Sequence, residues 1–169
     1  MTIGDAAAFC AGLVFLVGAW AKLRHRATLS GVVANYRLLP PIAVAPVAAI
    51  LPWLEGAVGL ALLLGERRWV PIVAAVLLLA FAAAIGINIR RGRSHIDCGC
   101  GVGGLRQSLH GALVVRNLMM AIALSFNLLA GTLPVMERIA AMATGLTLFL
   151  LILLLNALLA LPGFRPQPA

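Results

Sequence analysis

At 169 residues, 63% of them hydrophobic and only 11% charged, with a mean hydropathy of +1.07, the chain is too apolar to be a soluble domain, whose core must be balanced by a polar surface. Its length leaves room for about five spans of roughly 20 residues and excludes a sizeable extramembrane domain. The net charge of +8 does not indicate nucleic acid, because the basic residues sit at the ends of apolar runs with no aromatic-interleaved basic surface.

Taken in chain order, the apolar runs predict membrane-spanning helices at Ile3 to Leu23, Ile42 to Leu64, Val70 to Ile89, Leu109 to Leu133 and Ile139 to Leu161, each long enough to cross hydrocarbon. The first run is expected to remain as a span: a signal peptide carries its positive charge before the apolar core, whereas "WAKLRHR" follows it. Between the first two spans, "ATLSGVVANYRLLPP" reads as an interfacial, weakly amphipathic segment. Pro46 and Pro52 predict a kink or a broken turn near Trp53. The fold class is therefore all-α, a polytopic transmembrane bundle forming one domain over residues 1–162, with a short disordered tail at 163–169.

The basic residues set the expected orientation. With five spans, one face collects Lys22, Arg24, Arg26, Arg37, Arg90, Arg91, Arg93, Arg106, Arg116 and Arg165, and the other only Arg67, Arg68 and Arg138. Ten against three favours a cytoplasmic basic face in the cell (inner) membrane, with the N-terminus outside.

On that face lies "SHIDCGCGVGG", a polar loop holding Cys98 and Cys100, two of the chain's three cysteines. Gly99 between them lets the chain turn tightly enough to bring the sulfurs toward bonding distance, in a disulfide that would be strained. Strain raises the reduction potential, which suits a bond that exchanges with other dithiols. Arg90, Arg91, Arg93 and Arg106 favour the thiolate, while the adjacent Asp97 opposes it. Two other readings compete: a metal held with His95, Asp97 or His110, which the one-residue spacing and the lack of a second thiol pair disfavour, and an inert reduced pair in a turn. No metal site is expected, and Cys10, alone in the first span, reads as a small lipid- or helix-facing residue.

Polar residues inside the apolar runs are the remaining candidates. An ionised Glu55 in the second span is expensive unless paired, hydrated or protonated. It reads either as a site for proton movement or as a neutral acid bonded to a neighbouring helix. Counting along the helices places it nearer the Glu66 end than the cysteine loop. Lys22, Asn88, Arg90, Arg116, Asn117 and Asn156 fall near the cysteine end and are expected to line one polar vestibule; for the asparagines, plain interhelical hydrogen bonding is the competing reading. Arg116 within an apolar run needs an acceptor or water, and Asp97 is the nearest acid in sequence.

The segments "AGLVFLVGAWAKL", "NYRLLP", "LPWLEGAVGLALLLG", "RRGRSHIDCGCG" and "RNLMM", in this order over about residues 11 to 120, resemble the MauE family of methylamine-utilisation membrane proteins, related to the broader DoxX-like group. "RGRSHIDCGCG" is the most specific element. Where the family often carries a bulky residue after the second cysteine, this chain has Gly101. The resemblance implies a four-helix core plus one helix, and a role in maturing a redox enzyme, the methylamine dehydrogenase light chain. That light chain is a disulfide-rich client with a tryptophan-derived quinone, matured alongside a thioredoxin-like partner. The expected function is thus thiol-disulfide exchange or electron transfer through Cys98 and Cys100. The alternatives are a non-enzymatic scaffold recruiting the partner or client, or a small metal or quinone site in the vestibule, with a quinone as the candidate cofactor.

Overall fold

The computed structural model describes residues 3–66, 68–96, 109–129 and 134–159. Asp97, Cys98, Cys100 and Arg106, and the tail at 163–169, lie outside them. Among the described residues, the chain forms six α-helices and one 3-10 turn. These are α1 (Ile3–Arg24), the short α2 (Arg26–Asn35), α3 (Pro41–Leu63), α4 (Val70–Arg90), α5 (Gly111–Ser125) continued by a 3-10 turn (Phe126–Leu129), and α6 (Val135–Leu159). Five helical segments are long and apolar enough to cross a membrane: α1, α3, α4, α5 with its 3-10 extension, and α6. In lipid this is the expected solution, since a helix satisfies its backbone hydrogen bonds within itself.

Each element has a local cause. Pro41 starts α3 at a position where a missing N–H costs nothing, and Pro71 does the same for α4. Pro46 and Pro52 are carried inside α3, which runs unbroken from Pro41 to Leu63, so of the kink or broken turn expected near Trp53 the broken turn does not occur. Arg37, with φ 48°, and the extended Pro40 turn the chain from α2 into α3. Gly92, with φ 70°, closes the end of α4 where a side chain would be strained.

Helix α1 is the organising element, packing against α3, α5 and α6, while α4 pairs chiefly with α5. Its buried face is built of small residues, Ala7, Ala8, Ala11 and Gly12 among them, so neighbouring backbones come close. A Cβ on Gly59 of α3 would sit 2.8 Å from the Gly12 carbonyl oxygen, so only glycine permits this approach. Phe15, Val58, Leu62, Leu78, Leu124 and Phe149 fill the core around the contact. Cys10, expected to face either lipid or a neighbouring helix, is 3% exposed and belongs to that core. Helix α6 rests mainly on α1, leaving α1, α3, α4 and α5 around the interior described next.

Candidate functional site

The register of α1 against α3 decides where the intramembrane charges meet. Gly12 packs against Gly59 and Leu63, Ala19 faces Gly56, and Gly18 faces the Glu55 carboxylate. One turn further on, Lys22 Nζ donates to Glu55 Oε2 at 2.7 Å, in an ion pair whose side chains are 10% and 2% exposed. The ammonium also lies 5.7 Å from the Phe81 ring centroid, a cation-π contact that replaces part of its lost hydration.

This pairing is one the helix count, which put Glu55 nearer the Glu66 end than the cysteine loop and Lys22 near the cysteine end, did not anticipate. The two stand at one level because α3 overhangs α1: Pro41 to Leu54 precede Glu55, whereas only Leu23 and Arg24 follow Lys22 within α1. The overhang is covered by α2, which packs on α3 and buries Leu29. Counting from helix ends assumes flush ends, and these are staggered.

The pair lies at the polar end of a cavity of about 310 Å³ between α1, α3, α4, α5 and α2. Val14, Phe15, Leu51, Leu78, Phe81 and Ile85 give apolar walls, and Val32, Val33 and Tyr36 of α2 close one side. Arg116 and Asn117 of α5 add a second polar group to the lining. Asn117 is 3% exposed, and its Oδ1 accepts from Arg116 Nη2 at 3.2 Å. Two buried atoms here have no hydrogen-bond partner, Glu55 Oε1 and Arg116 Nε.

Of the residues expected to share a vestibule, Lys22, Arg116 and Asn117 line this cavity, joined by Glu55. Asn88 and Arg90 do not. Asn88 is fully buried and bonded elsewhere, its amide donating to the Ala84 carbonyl at 3.0 Å and its Oδ1 accepting from Arg93 Nη1 at 3.3 Å. Arg90 is exposed at the end of α4, and Asn156 of α6 also lies off the cavity.

The arginines flanking the cysteine loop are tethers. Arg93 Nη2 donates to the Asn35 carbonyl at 2.7 Å, and Arg91 Nη1 to the Arg37 carbonyl at 3.4 Å. They hold the end of α4 against the carbonyls that terminate α2, so Arg24, Arg37, Arg91 and Arg93 gather at one end of the bundle. The stems of the cysteine loop meet at that end: Leu109 N–H donates to the Ser94 carbonyl at 2.9 Å, and Ile96 and Leu109 are buried with Ile85 and Leu113.

Two features go beyond the expectations from sequence, which named His110 only as a candidate metal ligand. His110, just before α5, buries both ring nitrogens without a hydrogen-bond partner. Burial holds its pKa below the ordinary 6.5, with the Arg116 charge adding to the effect. At the opposite end, Asn127 Nδ2 donates to Asp5 Oδ1 at 3.2 Å, tying the start of α1 to the 3-10 turn. The 3-10 turn itself is the signal that sequence lacked, because the apolar run continues through it.

A bundle of five spanning helices that encloses a lysine-glutamate pair and a half-buried arginine at the wall of an apolar cavity defines a multi-pass membrane protein. The family model for the methylamine utilisation protein MauE matches residues 1–130, and the chain belongs to that family. The chain is 47% identical over 116 residues to the methylamine utilization protein MauE of Paracoccus denitrificans, covering 67% of this chain and 62% of that one. It is 40% identical to that of Methylorubrum extorquens, covering 77% and 73%, and 38% identical to that of Paracoccus versutus, covering 92% and 87%. The match to the Paracoccus denitrificans protein thus spans less than two thirds of that relative's length. No solved structure matches.

Proposed function

We propose that the protein acts in methylamine utilisation as a membrane thiol-disulfide exchange or electron-transfer component, serving the maturation of a redox enzyme, with Cys98 and Cys100 as the exchanging thiols. The observation that carries this reading is the Cys98-Gly99-Cys100 run, which the sequence places between two joined segments, Ser94 bonded to Leu109 beside the buried Ile96. A dithiol on a loop anchored at its base can meet a protein partner without unravelling the helices that carry it. Family membership supplies the context, and the gathered Arg91 and Arg93 supply positive charge at the loop's base. The partner is a thioredoxin-like protein and the client a disulfide-rich subunit, by resemblance the methylamine dehydrogenase light chain. The loop faces the cytoplasm of the cell membrane, on the excess of basic residues at its end of the bundle.

Serine at either cysteine tests the reading. One thiol attacks and the other resolves the mixed disulfide, so Cys98→Ser or Cys100→Ser abolishes client maturation, and the surviving thiol traps its partner in a complex that reductant dissolves. Normal maturation with both serines in place overturns the exchange role and leaves a recruiting scaffold.

A further inference from the structure

We propose that the cavity between α1, α3, α4, α5 and α2 binds the ring of a membrane quinone or its hydroquinone, with Glu55, Lys22 and Arg116 as the polar contacts. This goes beyond the thiol reading and does not depend on it.

Three properties of the cavity select that chemistry. Its volume, about 310 Å³, falls within the range in which proteins bury small organic ligands, about 300–1,000 Å³, and is sufficient for a substituted six-membered ring. Its walls are apolar and include the aromatic rings of Phe15 and Phe81, which suit the face of a conjugated ring. It extends to Leu38 and Leu39, both more than one-third exposed at the α2–α3 connection, so an apolar tail has a way out toward lipid.

The polar groups narrow the class further. Glu55 is 1% exposed, and its Oε1 lacks a donor, while the buried Arg116 Nε lacks an acceptor. Buried groups of this kind are costly when unmet, and a single ligand that meets both must accept at one point and donate at another. A hydroquinone meets both, one hydroxyl donating to Glu55 and the other oxygen accepting from Arg116; the oxidised quinone, which only accepts, meets the Arg116 side or the Lys22 ammonium. Water satisfies the same atoms but leaves the apolar walls uncovered. A carboxylate or phosphate amphiphile satisfies the cations but sets its charge against the Glu55 carboxylate. Lys22 and Glu55 neutralise each other at 2.7 Å, so the site does not call for a charged ligand on their account.

Gly18 offers a clean block. It lines the cavity, and a Cβ there would lie 3.5 Å from Glu55 Oε2 and 3.6 Å from Lys22 Nζ, ordinary contact distances. Leucine at this position therefore takes up cavity space beside the ion pair, whereas alanine adds a single methyl group that meets the pair only at contact distance.

The experiment measures binding of ubiquinone-2 and its hydroquinone to the full chain in lipid nanodiscs, with decylbenzene and decanoate as competing probes. The hydroquinone is expected to saturate a single site, and ubiquinone-2, which lacks the donor for Glu55, to fill the same site more weakly. Gly18→Leu is expected to abolish binding, and Gly18→Ala, whose Cβ meets the ion pair only at ordinary contact distance, to weaken it at unchanged thermal stability. Arg116→Gln is expected to weaken it roughly tenfold, the size of one lost charge-assisted hydrogen bond. The Cys98→Ser/Cys100→Ser double variant is expected to bind as the parent does, which keeps this claim separate from the thiol reading. Absence of saturable binding, or binding indifferent to Gly18→Leu, overturns the proposal. Equal competition by decylbenzene would reduce the site to a greasy cavity, and tighter binding of decanoate would assign it to anionic amphiphiles; either result rejects the quinone.

Discussion

Lys22 of α1 and Glu55 of α3 face each other at 2.7 Å in the interior of the bundle, an ion pair formed across thirty-three positions of sequence and nearly closed to solvent. Desolvating both charges is expensive, and their attraction offsets that cost only while both are present. Replacing one partner strands the other. Glu55→Leu and Lys22→Met are each expected to lower stability by about 3–5 kcal/mol, whereas the double replacement, Lys22→Met with Glu55→Leu, costs much less than their sum. Unfolding of the purified protein measures the cycle, and additive losses would show that the pair is not coupled.

The contact between Gly12 and Gly59 makes a second expectation. Alanine at Gly59 forces a methyl group against the Gly12 carbonyl at 2.8 Å and the Leu16 backbone nitrogen at 3.0 Å, and backbone cannot step aside as a flexible side chain would. A loss of about 1–3 kcal/mol is expected from this overpacking. Gly31 of α2 is the control, since a Cβ there meets nothing within 4 Å; Gly31→Ala should be neutral or stabilising by about 0.5–1 kcal/mol, the usual cost of glycine within a helix. Thermal melts of the two variants side by side separate packing from propensity.

Hydropathy made the spans legible because lipid imposes one simple demand, an apolar helix of sufficient length. The ends of α1, α3 and α4 fall within a residue of the apolar runs that predict them. The fourth run misleads at its far end: the helix gives way at Phe126 to a 3-10 turn, where Asn127 turns inward to Asp5 and Gly4 lies against the Asn127 backbone. Composition carries no trace of that closure. The partner of Glu55 was hidden for a similar reason, because helix stagger is a tertiary property. Lys22, Arg116 and Asn117 were legible as neighbours of one interior since charges and amides within apolar runs must turn inward. Asn88 obeyed the same rule and found a different partner in Arg93. The arginines beside the cysteines were legible as positive charge, but their bonds to the carbonyls of Asn35 and Arg37 depend on where α2 lies.

His110 links stability to pH. Burial holds its folded pKa below the ordinary 6.5, so the unfolded chain takes up the proton first as the solution is acidified. The stabilisation is therefore complete above about pH 6.5 and is lost as pH falls below it, until the folded state is protonated as well. Melting temperature is expected to decline more steeply between pH 7 and 5 in the parent than in His110→Gln, which cannot titrate. Parallel curves would show that the ring is not the group responsible.

Sidedness is open to a direct chemical test, because the third cysteine does not interfere. Cys10 is 3% exposed among Met120, Ala121 and Leu124, so a membrane-impermeant maleimide has no route to it in the folded protein. Any labelling then reports Cys98 and Cys100. Arg24, Arg37, Arg91 and Arg93 stand at the loop's end of the bundle, with Arg68 and Arg138 at the other, and an excess of basic residues marks the cytoplasmic side of short-looped membrane proteins. The reduced loop is expected to label in inverted vesicles and to resist the reagent in intact spheroplasts, with the Cys98→Ser/Cys100→Ser variant silent in both. Labelling confined to spheroplasts would reverse the orientation and set the thiols on the outer face of the membrane.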